Sequence, residues 1–107
     1  MADYLKPPVI EDIDLAAYHG RPGDVIGICA RDDTQVTAVD IVLRDGAGVI
    51  KEQGPARPGG WNWRYTATHR FGPEEVITVE VTAQDRAANA TTTSRLIARP
   101  GGTPEPP

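Results

Sequence analysis

The segment 76–89 has the most regular alternation of hydrophobic and polar positions in this chain. Alternate residues of the segment are apolar and would share one face of an extended chain: Ile77, Val79, Val81 and Ala83. A side-chain period of two is typical of a β-strand with one buried face and one solvated face. The polar run 85–89 predicts a short turn, and 90–98 predicts a returning strand.

Shorter segments elsewhere show the same alternation or a β-rich composition, and the turn signals between them are dense in Gly, Pro and Asp. They predict further strands at Val9–Leu15, Val25–Asp32, Val36–Arg44, Ala47–Gln53 and Trp61–Thr68. The residues expected to face inward from two of these are Ile26, Ile28, Ala30, Val39, Ile41 and Leu43. No segment has the 3.6-residue period of an amphipathic helix. About seven short strands therefore predict an all-β sandwich.

Two connections and the charges of the first strand add detail to this prediction. The dipeptide Asp45-Gly46 predicts a hairpin turn. The segment 54–60, with two prolines and three glycines, predicts a loop that crosses between sheets or runs along an edge. The acidic side chains of the first strand, which are Glu11, Asp12 and Asp14, are typical of an edge strand that resists pairing with other molecules.

Length, composition and charge restrict the class of protein. The chain has 107 residues, which is the size of one domain, with 39% hydrophobic and 24% charged residues, so neither a disordered nor a membrane-spanning chain is expected. The net charge of −4 and the scattered cations argue against a nucleic-acid partner and against an anionic membrane surface. We expect residues 1–7 to be a flexible lead-in, 8–99 the folded domain, and 100–107 a Pro/Gly-rich flexible tail or linker. The first residues contain no basic region followed by an apolar stretch, so no signal peptide is expected and the compartment is left open.

Several of these motifs together resemble bacterial immunoglobulin-like domains. The resemblance rests on Pro22-Gly23-Asp24 before a strand, on the alternating run from Val39 to Gly46, on Trp63-x-Tyr65-Thr66, and on the final strand and turn 79–89. It implies an immunoglobulin-like Greek-key β-sandwich of about seven strands, and a cell-surface or secreted parent protein. In the family the last turn usually reads Asp-x-x-Gly-Asn. Here Ala88 stands in place of the glycine, so this turn either avoids a positive φ or carries modest strain.

The aromatic row Trp61, Trp63 and Tyr65 is the most prominent candidate for a contact surface. It could stack on a sugar or contact a protein, whereas the plainer interpretation is that Trp63 and Tyr65 fill the core. Trp61, nearest the loop, is expected to be partly exposed. With Arg64 and Arg57 beside it, it forms our candidate site for a ligand or partner.

Catalytic and metal sites are not expected. Cys29 is the only cysteine and is predicted to be a small apolar residue in or beside the core. Ser94 lies in a predicted strand, without a nucleophile turn around it. Asp32, Asp33 and Asp85 could meet at one end of the sandwich as calcium ligands, but aspartates that cap turns are commoner. No cofactor is predicted, and we expect the chain not to be an enzyme.

Three functions remain open at this stage. The first is a non-catalytic module that acts as a spacer or binds a protein, within a larger or multi-domain protein. The second is a carbohydrate-binding accessory domain that uses an exposed aromatic side chain near Trp61. The third is a small structural protein that assembles with itself through an edge strand.

Overall fold

A computed structural model describes residues 7–31, 35–59, 62–72 and 74–98 of the chain. These residues form eight strands and no helix, and none of them belongs to a helix that could cross a membrane. Of the predicted lead-in only Pro7 is described, and the predicted tail lies outside the described residues. The strands are β1 (Val9–Asp14), β2 (Val25–Arg31), β3 (Val36–Arg44), β4 (Ile50–Pro55), β5 (Arg57–Gly59), β6 (Asn62–Thr66), β7 (Val76–Asp85) and β8 (Ala90–Ala98).

The strands form two antiparallel four-stranded sheets. The first sheet has the order β1-β2-β6-β5 and the second has the order β4-β3-β7-β8. The inward faces of both sheets contribute to one hydrophobic core. The predicted all-β sandwich is therefore confirmed, with eight strands in the described residues where about seven were expected.

The residues that the alternation predicted to face inward lie in the core or against it. The inward residues of β7, which are Ile77, Val79, Val81 and Ala83, are all fully buried. On β3 and β2 the predicted inward residues Val39, Ile41, Leu43, Ile26 and Ile28 are likewise at most 1% exposed, and Ala30 is partly buried beside them. Burial of each large aliphatic side chain stabilises the fold by about 1.5–3 kcal/mol. Tyr65 is in the core as expected, whereas Trp63 is half-buried at its margin.

The hairpin between β3 and β4 is confirmed, but its turn differs from the prediction. The turn has five residues, 45–49, and the strand predicted to start at Ala47 begins at Ile50. Asp45 Oδ1 accepts hydrogen bonds from the backbone N–H groups of Ala47 (2.9 Å) and Val49 (3.0 Å). The residue with a positive φ is Gly48, at 86°, and not Gly46. A capping aspartate therefore determines this turn, and not a two-residue Asp-Gly turn.

The turn between β7 and β8 repeats this arrangement forty residues later. Asp85 Oδ1 accepts hydrogen bonds from the N–H groups of Ala87 and Asn89, both at 2.9 Å. The backbone bonds also correspond, since Asp85 N–H donates to the Asn89 carbonyl (3.0 Å) and Ala88 N–H to the Asp85 carbonyl (3.1 Å). Ala88 has φ of 67°, in the left-handed region. Of the two alternatives for this turn, the strained one is correct.

The prediction of a loop at residues 54–60 is wrong in part. Gly54 and Pro55 complete β4, and Arg57–Gly59 forms β5 at the edge of the first sheet. Prolines are compatible with both strands because each is an edge strand, where a missing N–H donor is tolerated. The predicted crossing between sheets does occur, at Ala56, whose N–H donates to the Val39 carbonyl (2.7 Å).

The described chain enters and leaves the sandwich at opposite ends. Thr91, near the start of β8, donates its hydroxyl to the Pro8 carbonyl just before β1 (2.6 Å). Ala98 ends β8 beside Val76, the first residue of β7. The seven steps along the strand from Thr91 to Ala98 span about 23 Å at the usual rise per residue. The entry and exit points are thus separated by nearly the length of a long strand.

Candidate functional site

Two of the three predicted contact residues lie side by side. Arg57 on β5 and Arg64 on β6 are direct cross-strand partners. Both side chains are exposed on the outer face of the first sheet, because Tyr65, next to Arg64, points into the core. Directly opposed Cβ atoms on antiparallel strands are about 5 Å apart. The structure therefore places the two arginine side chains next to each other on the same face of the sheet. The third predicted residue, Trp61, lies outside the described residues.

Arg64 separates two shallow depressions on this face. One, of about 280 Å³, extends from Arg64 towards β1 and is lined by Gly27, Asn62 and Asp14. The other, of about 310 Å³, extends towards β5 and is lined by Arg57 and Thr66. We call the two depressions with the arginines that border them the arginine groove.

The floor of the groove is open because of a glycine. Asp14, Gly27, Arg64 and Arg57 occupy one row across the four strands of the first sheet. Gly27 has no side chain to fill the space between Asp14 and Arg64. A Cβ atom at this position would lie 3.4 Å from the Cβ of Asp14, so a larger side chain would occupy the groove.

The outer face of the first sheet is electrostatically divided. The acidic residues of β1 are exposed, as predicted, and β1 is an edge strand. Glu11 forms a salt bridge with Arg31 on β2 (2.8 Å). No described carboxylate forms a salt bridge with Arg57 or Arg64. The face is thus negative along β1 and positive along β5 and β6.

A polar contact between the sheets supports β6 from behind. Glu52 of β4 accepts hydrogen bonds from the Tyr65 hydroxyl (2.5 Å), from the His69 N–H (2.7 Å) and from both the N–H and the hydroxyl of Thr68. The ring of Tyr65 can approach β4 because Gly54 presents no side chain there. We call this the Glu52–Tyr65 contact. It joins the edge of the second sheet to the strand that carries Arg64.

The same contact shifts the pKa of both groups. Burial by itself would raise the pKa of Glu52, but the hydrogen bonds from Tyr65, His69 and Thr68 outweigh it and lower that pKa. Burial, followed by the bond to the Glu52 carboxylate, raises the pKa of the Tyr65 hydroxyl. Glu52 was not predicted from the sequence. The only local signal would have been its place in the inward–outward alternation along β4, and a register shift between Leu43 and Arg44 interrupts that alternation.

Cys29 does not lie in the core. Since Ile26 and Ile28 face inward, Cys29 projects from the outer face of β2, half-buried. Its Sγ is 3.6 Å from Glu11 Oε1. Burial and the neighbouring Glu11 raise the pKa of the thiol. A raised pKa reduces the fraction of reactive thiolate at neutral pH.

The other candidate residues do not come together. Asp32 and Asp33 lie outside the described residues, and Asp85 is buried where it caps its own turn. In the described ranges there is no group of three or more His, Cys, Asp or Glu side chains that could hold a metal ion. Ser94 is on β8 opposite Glu80, whose carboxylate forms a salt bridge with Arg44 (3.4 Å).

Comparisons of the chain with protein-family models, with curated proteins and with solved structures find no match.

Proposed function

We propose that the fold is an immunoglobulin-like Greek-key sandwich and that the domain is a non-catalytic module which spaces or connects neighbouring domains. The strand order supports the fold. An order of β1-β2-β6-β5 facing β4-β3-β7-β8 corresponds to the A-B-E-D and C′-C-F-G sheets of that architecture. The single cysteine of the chain cannot form the hallmark disulfide of antibody domains, and Trp63, the tryptophan within the described residues, is at the core margin.

The observation that carries the spacer role is the position of the chain ends. The described chain enters beside Thr91 and leaves at Ala98, at opposite ends of β8. Neighbouring domains attached at these points would lie on opposite sides of the sandwich, so that successive modules extend in a line. Such a module sets the distance between its neighbours and catalyses no reaction.

Small-angle X-ray scattering on one, two and three copies joined in tandem tests this role. The longest dimension is expected to grow by a similar increment with each added copy, and each copy should keep the melting temperature of the single module. A three-copy chain with nearly the longest dimension of one copy would refute the proposal, because the modules would then be folded back on one another.

The position of β8 at the edge of the second sheet, among the described strands, favours a second candidate, self-association through an edge strand. Three of the four sheet edges carry features that discourage strand pairing: acidic residues and a register shift on β1, a register shift and Pro55 on β4, and Pro58 in the three-residue β5. β8 has nine residues and no proline, and its only charged residue is Arg95. Leu96 on this edge is 68% exposed.

Sedimentation velocity over a wide concentration range tests this second candidate. Self-association should increase with concentration and should be lost in Leu96→Lys. The matched control is Val9→Lys, which makes the same change at an exposed residue of the acidic edge strand β1. A monomer at every concentration, or equal loss in both variants, would rule out the β8 edge.

A further inference from the structure

The opposed arginines of the arginine groove are unfavourable for the isolated domain. Like charges directly opposite each other on neighbouring strands destabilise a sheet. The chain has fifteen acidic residues against eleven basic ones, yet no described carboxylate forms a salt bridge with Arg57 or Arg64. An anion bound between the two guanidinium groups would remove the repulsion.

The geometry suits an anion that carries two or more oxygens. A guanidinium group presents its N–H donors as a planar fork that matches a carboxylate or a sulfate ester. Both arginines project from paired strands and not from a loop, and the Glu52–Tyr65 contact supports β6 from behind. The spacing of their Cα and Cβ atoms is therefore set by the sheet.

The surroundings of the arginines are unfavourable for a highly charged anionic ligand. Asp14 lies in the same row across Gly27, and the remaining acids of β1 continue the negative side of the face. A polyanion lying across the sheet would be repelled there. Asp14, Asn62 and Thr66 instead offer acceptors and donors for neutral hydroxyl groups. The groove thus fits a ligand with one negative group flanked by hydroxyls.

We propose that the arginine groove binds an acidic saccharide, with the carboxylate or sulfate of one sugar held between Arg57 and Arg64 and neighbouring hydroxyls hydrogen-bonded towards Asp14. Gly27 leaves the space that the sugar ring occupies. This site does not depend on the spacer role, because a module can carry it whether or not its neighbours are arranged in a line.

Isothermal titration calorimetry with two matched disaccharides tests the proposal. Cellobiouronic acid, which has one carboxylate, should bind, and cellobiose, its neutral counterpart, should bind at least tenfold more weakly. Arg57→Gln and Arg64→Gln should each weaken binding of the acidic disaccharide about tenfold or more, the usual effect of losing a charge-assisted hydrogen bond. The control Arg86→Gln removes an exposed arginine from the turn at 85–89 and should leave binding unchanged.

Two further measurements separate binding from folding. Without ligand and at low salt, Arg57→Gln and Arg64→Gln should melt at the same or a higher temperature than the unaltered protein, because each removes the like-charge pair. Gly27→Ala should weaken binding while both arginines remain. Lower melting temperatures in both arginine variants would show that the pair has a structural role, and the proposal would fail.

Two other anionic ligands test whether the groove prefers a saccharide with a single negative charge. A short peptide with a single glutamate and a heparin fragment are titrated in parallel. Stronger binding of either one than of the acidic disaccharide would overturn the assignment to a saccharide. Equal binding of cellobiose, or no binding of cellobiouronic acid at all, would overturn it as well.

Discussion

The two matching hairpin turns allow the energetic effect of one backbone conformation to be measured within a single protein. Gly48 and Ala88 hold the same position in turns with the same hydrogen bonds, and both have a positive φ. The left-handed conformation costs an alanine about 1–2 kcal/mol, whereas a glycine adopts it freely. Glycine loses part of this advantage, about 0.4–1 kcal/mol, through its greater freedom in the unfolded chain. Ala88→Gly should therefore raise the free energy of unfolding by roughly 0.5–1 kcal/mol.

The reciprocal substitution should have the opposite effect. No atom lies within 4 Å of the position that a Cβ would take at Gly48, so Gly48→Ala introduces no clash. Its effect is confined to the backbone, and the free energy of unfolding should fall by a similar amount. The two turns are at opposite ends of the second sheet, and the double variant should therefore be close to the unaltered protein.

Urea unfolding and calorimetry measure these changes. A change of 1 kcal/mol shifts the melting temperature of a domain of this size by about 4–8 °C, so each single variant should move it by several degrees. The control is Ala87→Gly, one position earlier, where φ is not positive and glycine should destabilise the domain. If Ala88→Gly lowers the melting temperature as much as Ala87→Gly does, the strain that we assign to Ala88 does not exist.

Three further predictions concern the core and the Glu52–Tyr65 contact. Val81→Asp should abolish the cooperative thermal transition, since a buried unpaired carboxylate costs several kcal/mol of a total of about 5–15 kcal/mol, whereas Thr78→Asp on the outer face should keep it. Glu52→Gln should lower the free energy of unfolding at pH 7 by about 2 kcal/mol. The pKa of Glu52 is lower in the folded state than in the unfolded state. The Glu52 carboxylate therefore stabilises the fold fully above its unfolded-state pKa, and this stabilisation is lost as the pH falls through its folded-state pKa. In urea unfolding at decreasing pH, the free energies of unfolding of Glu52→Gln and of the unaltered protein should therefore converge. A difference that does not change with pH would contradict this. The raised pKa of Tyr65 predicts a loss of stability as the pH rises above about 10, and Tyr65→Phe should be less sensitive to alkali in the same assay.

The buried faces of the main strands could be predicted from the sequence because the signal is local. Alternation along β7 and β3 identified every inward residue of their centres, from Val39 to Leu43 and from Ile77 to Ala83. The hairpins and the edge position of β1 followed from turn residues and charges close to the strands concerned. Each of these properties depends on residues within a few positions of one another, and the period of two expresses them directly.

Features that depend on register and on partners distant in sequence were visible only in the tertiary structure. β5 was not predicted because the segment 54–60 contains two prolines, which indicate a loop unless the strand is known to lie at the edge of a sheet. Glu52 was missed because a register shift changes which side of β4 faces the core. The sequence suggested Arg57 and Arg64 as neighbours of a candidate site, but only strand pairing made them direct partners and set Gly27 beside them. The sequence alone thus determined which face of each main strand is buried. The pairing of strands in three dimensions decided which surface side chains lie next to each other. The sequence contains no periodic pattern for this, because paired residues can be far apart along the chain.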